Sequence, residues 1–464
     1  MASADQPQAC DQLEAMRGVV VRGESQPLAW RLSQLDRLEA FLAAEAETVL
    51  AALAADLGKP PLEAYFELLS VRQELRLCRR RLRGWMAPRR VGLPLSLWPG
   101  RAELRREPLG CVLIIGPFNY PFQLCIRPLV SALAAGNTAF IKPSEQAPHT
   151  AALLAAALPR HFPADVLQVV VGDREVSAAL VRQHFDHIFF TGSGRVGRQV
   201  MAAAAEQLTP VTLELGGKSP AIVLADADLA VTARRLAWGK SLNAGQTCIA
   251  PDHLLVQESV REPLVAALAA EIRRFYGDDP LQSPDLGTII NAAQFGRLER
   301  LLAGARQRGQ VLAGGRSDPL SRRIEPTLVA IEDPDDPLMQ EELFGPILPV
   351  LAVADLNEAL ASVARGPQPL ALYLFSSSRQ AQEQTLRCSR SGGVAFNDVI
   401  LQAAVPGLPF GGVGESGMGL YHGEAGFLAF SHQRSVLRRP FWLDLPLRYP
   451  PYQGKLPWIQ RLLG

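Results

Sequence analysis

Apolar positions in the first eighty residues recur at the spacing of helices. The repeating positions are Leu32, Leu35, Leu38, Leu42 and Ala46. Steps of three and four residues place such side chains on one helix face. Pro60-Pro61 interrupts the pattern, and proline is tolerated in the first turn of a helix but not in its interior. The pattern predicts a helical region over residues 11–83, with a break at this proline pair before a second helix.

From residue 111 the pattern changes to short apolar runs that alternate with amphipathic segments. Residues 111–115 are all apolar, which is typical of a strand buried in a parallel sheet. A helix is predicted to start at Pro121 and to end at Gly136-Asn137. Further strands are predicted at 139–141, 167–171, 188–190 and 211–213, with helices at 146–158, 175–184 and 197–208. Repeated strand–helix–strand units predict a parallel sheet with helices on both faces.

A second α/β series is predicted from Ala221 to about Asn397, with helices near 228–243, 261–275 and 291–307. Residues 92–100 are not helical and predict an excursion such as a hairpin. Apolar residues alternate within 93–98, and the segment 441–447 is similarly apolar. Exposed apolar strands usually mark an interface, so both segments predict contact with a second copy of the chain, although each could also fold back on its own subunit.

Length, charge and cysteine usage narrow the class of protein. A chain of 464 residues exceeds what one core usually supports, so two or more domains are expected. The net charge of +1 gives no electrostatic reason to expect a nucleic acid or a membrane surface as partner. No apolar run reaches the length of about 18 residues that a membrane helix needs, and residues 1–6 lack the features of a secretory signal.

The cysteines point to a reducing compartment. Six of them are scattered along the chain without a C-x-x-C pair, which excludes the common zinc spacings and makes a disulfide framework improbable. The sequence therefore predicts a cytoplasmic enzyme without a metal site.

Cys248 and Glu214 are the candidate reactive side chains. Cys248 ends the Gly-containing stretch 243–248, and Glu214 lies 34 positions earlier, beside Gly216-Gly217. A thiolate can attack a carbonyl carbon, and a carboxylate can then activate a water molecule. Free cysteine is also among the most buried residue types, so on spacing alone a structural cysteine is the commoner case.

A glycine-rich loop gives a second candidate site. The loop is Gly192-Ser193-Gly194-Arg195-Val196-Gly197, a G-x-G-x-x-G match between a predicted strand and a predicted helix. Glycines let a backbone approach a pyrophosphate, and the helix N-terminus supplies amide donors. In a standard dinucleotide fingerprint, the acidic residue about 20 positions further on binds the adenosine ribose, and here that residue is Glu214. One carboxylate does not easily serve both the ribose and a catalytic water, so the two interpretations compete.

Seven segments in order resemble the NAD(P)-dependent aldehyde dehydrogenase superfamily, over about residues 25–450. They are 116–122, 142–145, 190–193, 213–218, 246–248, 341–346 and 408–414. Segments 119–122, 209–214, 237–240 and 416–423 resemble the class 3 branch, which includes dimeric fatty and aromatic aldehyde dehydrogenases and bacterial coniferyl aldehyde dehydrogenases.

The resemblance implies an aldehyde dehydrogenase fold. It comprises a Rossmann-like cofactor domain (1–85 and 108–216), an α/β catalytic domain (217–415) and a small β excursion with oligomerisation segments (86–107 and 426–450). It also implies that NAD(P)+ oxidises a small-molecule aldehyde to the carboxylate, and that the protein is a homodimer. NAD is the expected cofactor, with NADP possible.

The resemblance assigns roles to individual residues. Cys248 matches the nucleophile that forms a thioester, and Glu214 the base that activates the deacylating water. The Asn119 amide and the Cys248 N–H would form the oxyanion hole. The expected cofactor contacts are Lys142 and Glu145 at the adenosine ribose, Glu342 and Phe344 at the nicotinamide ribose and ring, and Gly192, Ser193, Gly194, Arg195, Val196 and Gly197 at the pyrophosphate.

Each assignment has a structural alternative. Asn119 could cap the helix predicted at Pro121, Lys142 could belong to a strand-end turn, Glu342 could be an exposed loop charge, and Phe344 could be core. Two departures concern the cofactor and the substrate. Gly194 and Arg195 stand where the family usually has Thr after Gly-Ser, and Phe118 replaces a Trp frequent in class 3.

Two rival functions remain at this level. One is an acylating or acyl-phosphate-reducing relative on the same fold, against which Glu214 argues because such chemistry needs no hydrolytic base. The other is a catalytically silent structural homologue, which would be expected to lack Cys248, Glu214 or Asn119. The aromatic residues of 64–66, 118–120 and 409–410 predict a hydrophobic substrate, medium-chain aliphatic or aromatic.

Overall fold

The computed structural model describes residues 6–463, which form sixteen α-helices and eighteen strands. The helices are α1 (Gln6–Val21), α2 (Leu28–Ala44), α3 (Ala46–Leu57), α4 (Pro61–Met86), α5 (Gln123–Ala135), α6 (Pro148–His161), α7 (Arg174–Leu180), α8 (Gly194–Glu206), α9 (Leu229–Ser241), α10 (Glu258–Tyr276), α11 (Ala292–Gln307), α12 (Pro337–Gln340), α13 (Leu356–Arg365), α14 (Arg379–Cys388), α15 (Gly423–Ala429) and α16 (Leu456–Leu463).

The strands form two large sheets and two small ones. They are β1 (Arg89–Val91), β2 (Arg101–Pro108), β3 (Cys111–Ile115), β4 (Thr138–Lys142), β5 (Leu167–Val169), β6 (His187–Gly192), β7 (Val211–Leu215), β8 (Pro220–Val223), β9 (His253–Gln257), β10 (Val311–Ala313), β11 (Ser317–Asp318), β12 (Arg323–Ile324), β13 (Thr327–Ile331), β14 (Ile347–Val353), β15 (Ala371–Phe375), β16 (Gly393–Phe396), β17 (Gly417–Met418) and β18 (Ser431–Arg438).

The amino-terminal region is helical, as predicted. Gly58 ends α3 in the left-handed conformation with φ 60°, and α4 starts at Pro61, where the fixed φ of proline suits a first turn. The break at Pro60-Pro61 is therefore confirmed. α4 runs for 26 residues and packs against α2, α3 and α5.

The first large sheet has the strand order β17-β7-β6-β3-β4-β5, and all its pairs are parallel except β17 with β7. Alternate residues of β3 face opposite cores: Val112 and Ile114 contribute to one, and Leu113 and Ile115 to the other. The prediction of a parallel sheet covered on both faces is confirmed. Strand order reverses between β3 and β6, which opens a crevice at their carboxyl ends, where such sheets bind ligands.

The second large sheet has the order β10-β13-β14-β9-β8-β15-β16 and is parallel except for β10. The three predicted helices of this series are α9, α10 and α11. The Gly216–Ser219 turn carries the chain directly from the carboxyl end of β7 into β8. The carboxyl edge of the first sheet therefore meets the amino edge of the second.

Several predicted boundaries differ from the structure; for example, the helix predicted over 175–184 ends at Leu180, and the helix predicted from 197 starts at Gly194. The strand predicted over 167–171 ends at Val169. The helix predicted from Pro121 starts at Gln123, because an acceptor from another helix replaces the cap: the Gln123 N–H donates to Glu67 Oε2 of α4 at 2.9 Å.

The predicted excursion is a hairpin. β1 and β2 pair antiparallel, and β18 joins the other edge of β2 from Ser431 opposite Pro108 to Arg438 opposite Arg101. The apolar residues at its tip do not form the expected strand: 95–97 is a 3₁₀ turn in which Leu97 N–H donates to the Pro94 carbonyl at 2.9 Å.

The segment 441–447 is not a strand either, since β18 ends at Arg438. Prolines at 94, 99, 440 and 446 explain both errors, because proline cannot donate to a strand ladder. The expected exposure of apolar side chains is present at Trp98, Phe441 and Trp442.

Within residues 6–463, no helix combines the length and the apolar character needed to cross a membrane. The absence of a secretory signal at residues 1–6 was an expectation that lies mostly outside the described residues. The division into domains stays a prediction.

Candidate active site

Cys248 lies at the junction of the two large sheets. It is half-buried and follows a turn in which Asn243, Ala244 and Gly245 all have left-handed φ angles of 54°, 53° and 76°. Asparagine and glycine adopt this conformation more readily than other residues. At Gly245 nothing larger fits, since a Cβ there would lie 2.3 Å from the Gly345 carbonyl oxygen. The sequence therefore favours this backbone at Asn243 and requires it at Gly245, whereas at Ala244 the surrounding contacts must hold it.

Gln246 holds this turn from inside. Its side-chain amide donates to the carbonyls of Asn243 at 3.0 Å and Thr288 at 2.9 Å, and its side-chain oxygen accepts from Ile290 N–H at 2.9 Å. Because Gln246 is buried, each of these bonds would be expensive to lose. The turn is a rigid element.

Asn119 lies against the same turn. Its side-chain amide donates to the Gln246 carbonyl at 3.1 Å, and its own carbonyl accepts from Lys59 Nζ at 2.8 Å and Asn243 Nδ2 at 2.9 Å. Asn119 caps no helix, because α5 begins at Gln123 with Phe122 at the capping position. The structure thus brings Asn119 and the segment before Cys248 together, and the capping alternative is wrong.

Glu214 lies on β7, opposite Thr191 of β6 and Gly417 of β17. It is buried, and neither carboxylate oxygen has a hydrogen-bond partner among the described residues. Burial raises the pKa of this carboxyl well above its ordinary value. A buried acid with a perturbed pKa and no partner is costly, and such groups are concentrated at functional sites.

The Glu342 side chain contacts the turn that follows Glu214. The Gly217 N–H donates to its carboxylate, and a Cβ on Gly216 would lie 2.1 Å from Glu342 Oε2. Burial first, and then the nearby Asp252, raise the pKa of Glu342 to about 8. The alternative of a freely exposed loop charge is therefore wrong.

Two nearby carboxylates affect the pKa of the Cys248 thiol. Burial raises the pKa of Cys248 to about 12, and the charges of Glu342 and Glu214 add to the effect in that order. These electrostatic contributions place the three groups in one site. They also favour the reactive interpretation of Glu214 over a role at a distant ribose.

Two residues that the sequence did not point out hold the Glu342 segment. Arg297 donates to the Glu341 side chain at 3.0 Å and to the Leu343 carbonyl at 2.5 Å. Asp252 accepts from the Leu343 N–H at 2.8 Å and pairs with Lys218.

Phe344, at the end of this segment, has a φ of 50° and packs edge-on against Phe118 with ring centroids 5.7 Å apart. The ring pair lies between the loop that carries Asn119 and the loop that carries Glu342. Phe344 is half-buried, and so it is not an ordinary core residue.

The glycine-rich loop lies at the carboxyl end of β6, in the crevice between β3 and β6. Gly192 ends the strand, and the Ser193 hydroxyl caps α8 by accepting from the Val196 N–H at 3.5 Å. Gly197 is buried against Leu215, whereas Arg195 is exposed.

At the carboxyl end of β4, which pairs with β3, Lys142 Nζ lies 2.7 Å from Glu145 Oε2. Lys142 is buried and the Glu145 side chain is 40% exposed. The two predicted ribose ligands therefore form an ion pair at the carboxyl end of β4.

The glycine-rich loop and the first turn of α8 fit a dinucleotide. A Cβ on Gly194 would meet only the Arg198 guanidinium at 3.6 Å, so the first turn of α8 is open above the loop. Thr191 Oγ1, one residue before the loop, is buried without a partner in the described part of the chain. Open amides at a helix N-terminus suit a pyrophosphate.

A nucleotide crevice beside a thiol and a buried carboxylate defines an oxidoreductase that uses a dinucleotide cofactor. The model of the aldehyde dehydrogenase family matches residues 1–436, and the chain belongs to this family. The match confirms the resemblance found in the motifs.

Relatives place the chain in the class 3 branch. Aldehyde dehydrogenase family 3 member B1 of Homo sapiens is 46% identical over 444 residues, which cover 95% of this chain and 94% of the relative. The aldehyde dehydrogenase of Rattus norvegicus described as dimeric and NADP-preferring is 42% identical over 450 residues, covering 96% and 98%.

A solved structure has the same fold over nearly the whole of this chain. The substrate-bound state of Staphylococcus aureus AldH superposes with a TM-score of 0.95 at 42% identity, covering 98% of this chain and 99% of that one. The chain has the aldehyde dehydrogenase fold, and it is an NAD(P)-dependent enzyme that oxidises aldehydes to acids.

Proposed function

We propose that this enzyme oxidises hydrophobic aldehydes, medium-chain aliphatic or aromatic, through a thioester on Cys248, with Glu214 as the hydrolytic base. The observation that carries the proposal is the Glu214 carboxyl, buried, unpaired and electrostatically coupled to the thiol. A group of this kind is poised to accept a proton from a water molecule that enters the site.

The first half of the reaction builds a bond to Cys248. The Cys248 thiol gives its proton to water, its sulfur attacks the carbonyl carbon, and the carbonyl electron pair moves to the oxygen. The Asn119 amide and the Cys248 N–H stabilise that oxyanion, in a site where the turn of 243–245 fixes their positions in advance. A bound NAD(P)+ would supply the hydride acceptor, and departure of the hydride from the former carbonyl carbon would leave an acyl group on the Cys248 sulfur.

The second half of the reaction hydrolyses the thioester and regenerates the Cys248 thiol. Glu214 takes a proton from water as the water oxygen attacks the thioester carbon, and the carbon–sulfur bond then breaks. The products are a carboxylate and the free Cys248. Lys142 and Glu145 would hold the adenosine ribose, Gly192 to Gly197 the pyrophosphate, and Glu342 and Phe344 the nicotinamide riboside.

The preference for hydrophobic aldehydes is supported by the charges near the site. Lys59 is occupied by Glu67 and the Asn119 carbonyl, and Arg127 by Glu74 and Ser70, so neither cation is available for a substrate anion. Phe410, which the sequence places at the substrate entrance, also lines a mainly apolar cavity of about 200 Å³ with Leu370, Val394 and Leu408, although Cys248, Asn119 and Glu214 are not among its lining residues.

A chain-length series tests the substrate class. The specificity constant kcat/KM should rise by up to about fourfold per methylene from acetaldehyde to octanal, since each buried methylene contributes about 0.8 kcal/mol. The product should be the carboxylate without added coenzyme A or phosphate. A flat series, a preference for succinic semialdehyde, or product formation only with coenzyme A would contradict the proposal.

We also propose a cytoplasmic homodimer joined through the three-stranded sheet and the exposed Trp98 and Trp442. Both tryptophans are exposed at one end of this sheet, where Arg438 of β18 lies opposite Arg101 of β2, and this exposed apolar surface supports the assembly. Light scattering should give about twice the chain mass of 50.3 kDa at micromolar concentration. A monomer throughout the dilution series would exclude the dimer, and cell fractionation tests the location.

A further inference from the structure

The start of α4 places charged groups beneath the reactive site, although its sequence indicates only a helix. Lys59 and Glu67 are buried and Glu63 is partly buried. None of the three has a part in the chemistry described above. Each one contacts a segment that carries a reacting group.

Glu63 contacts the turn before Cys248. Its Oε2 accepts a hydrogen bond from the Asn243 N–H at 2.8 Å, 180 residues away in the chain. Asn243 is the first of the three left-handed residues, so this bond fixes the point where the turn begins. Left-handed backbone at non-glycine residues persists only where surrounding contacts determine it.

Lys59 and Glu67 contact the Asn119 side of the site. Lys59 Nζ donates to Glu67 Oε1 at 2.5 Å and to the Asn119 carbonyl at 2.8 Å, and it lies 4.0 Å from the centre of the Tyr120 ring. The Tyr120 hydroxyl is 2.7 Å from Thr247 Oγ1. The loop of Asn119 and the turn of Cys248 are thus joined to one another as well as to α4.

The bond from Glu63 is distinct within this network. Asn243 Nδ2 and Gln246 hold the end of the turn, but only Glu63 supplies a side-chain acceptor to its first N–H among the described contacts. Without the Glu63 carboxylate, the Asn243 N–H would lose its side-chain acceptor in a partly buried place. The turn would then relax to less strained backbone angles.

We propose that Glu63 is a positioning residue for the nucleophile. It acts through the Asn243 N–H to hold the turn that fixes the positions of Cys248 and Asn119 relative to each other. The role rests on the proposed part of Cys248 in the reaction. What Glu63 must supply is a hydrogen-bond acceptor at a fixed place, and a glutamine amide oxygen can supply it as well.

The ionisation of Glu63 is compatible with this role. The groups that face it are Lys59, Asp285, Tyr120 and Tyr276. Burial raises the pKa of Glu63 to about 7, against the hydrogen bond from Asn243 and the charge of Lys59, which lower it. Both the carboxylate and the neutral acid keep an oxygen that accepts from the Asn243 N–H.

The test compares Glu63→Leu, Glu63→Ala and Glu63→Gln in the full-length protein, with Glu47→Leu on the exposed face of α3 as the matched control. The readouts are the rate constant of the first-turnover NADH burst, the NAD+ dissociation constant and the thermal midpoint. Leu and Ala should slow the burst at least about tenfold with an unchanged NAD+ constant, whereas Gln and the control should stay within about threefold.

A wild-type burst rate in Glu63→Leu or Glu63→Ala would overturn the proposal, and so would a Gln variant as slow as the Leu variant, since the charge would then matter more than the acceptor. Glu63→Ala adds no bulk and serves if the Leu variant does not fold. If the wild type forms no NADH from any aldehyde, even in a single turnover with enzyme in excess, the proposed reaction fails. Alkylation of Cys248 by iodoacetamide then tests the positioning, since its rate should change in the Ala variant and not in the Gln variant.

Discussion

The turn before Cys248 and the glycine-rich loop at 192–197 each belong to a predicted binding site, yet they are built differently. The turn is buried and bound on every side by Gln246, Asn119 and Glu63. Within the loop, the Gly197 N–H donates to the Ser193 carbonyl at 2.9 Å, the Val196 N–H lies 3.5 Å from the Ser193 hydroxyl, and Arg195 is exposed.

The difference follows from what each segment does. Bond formation at sulfur requires reacting atoms to be held within a fraction of an ångström, so the turn is fixed before the substrate arrives. A cofactor must enter and leave, and its phosphates tolerate several donor arrangements. Substitutions in the turn should therefore cost far more activity than substitutions in the loop.

The largest effect is expected for Cys248→Ala. Turnover should fall by about 10⁴-fold or more, because no covalent bond can form. Folding and NAD+ binding should be nearly unchanged, since among the described residues the Cys248 sulfur interacts by hydrogen bonding only with the adjacent backbone N–H groups of Cys248 and Ile249. Stopped-flow and steady-state assays of NADH formation check this, with calorimetry as the control. Appreciable turnover would remove Cys248 from the reaction.

Glu214→Gln should divide the reaction into its two halves. The burst of NADH should remain, while steady-state turnover falls by about 10²–10³-fold because deacylation lacks its base. In the wild type, kcat should rise with pH as Glu214 loses its proton, and this rise should vanish in the variant. Loss of the burst would instead assign Glu214 to the activation of Cys248.

The same substitution has an effect on stability. The raised pKa means that the folded protein binds the Glu214 proton more tightly than the unfolded chain does. This contribution to stability is complete below the ordinary carboxyl pKa of 4.5 and is lost as pH rises through the folded value. At pH 8 the Gln variant should therefore melt at a higher temperature than the wild type.

A matched pair compares the two regions directly. Gln246→Ala removes three buried hydrogen bonds and should slow the burst by about ten- to a hundredfold while lowering the free energy of unfolding by about 2–4 kcal/mol. Ser193→Ala removes one exposed bond and should change each quantity little, by about 1 kcal/mol at most. Burst kinetics and urea unfolding measure both. Equal losses in the two variants would contradict the comparison.

The smallest effect concerns the choice of cofactor. A carboxylate at the adenosine ribose accepts from a 2′-hydroxyl and repels a 2′-phosphate, so NAD should be preferred, with NADP usable because Lys142 offsets part of the repulsion. Glu145→Gln should shift the ratio of kcat/KM values toward NADP by about two- to fivefold, since the side chain is partly exposed. An unchanged ratio would place Glu145 outside the ribose site.

Much of this molecule could be predicted from local patterns. Runs such as 111–115 identified the parallel strands, and the motif order identified the family. The polar side chains at the start of α4 were not recognised, although Glu67 and Glu74 fall among the buried positions Ala64, Leu68 and Val71 of the same helix. A carboxylate on an apolar stripe signals a buried partner. That partner could not be named, because Lys59–Asn119 and Glu63–Asn243 contacts join segments 60 and 180 residues apart.

The pairing of β17 with β7 bears on how the enzyme is made. Glu214 is flanked by Gly417, where a Cβ would lie 2.1 Å from the Leu213 carbonyl oxygen, so only glycine lets this late strand approach. A nascent chain on the ribosome can form β3 to β7 long before residue 417 is synthesised. Until then the edge of β7 is open and the acid is accessible to water. Glu214 therefore gains this neighbour only after residues 417 and 418 have been synthesised, long after its own strand.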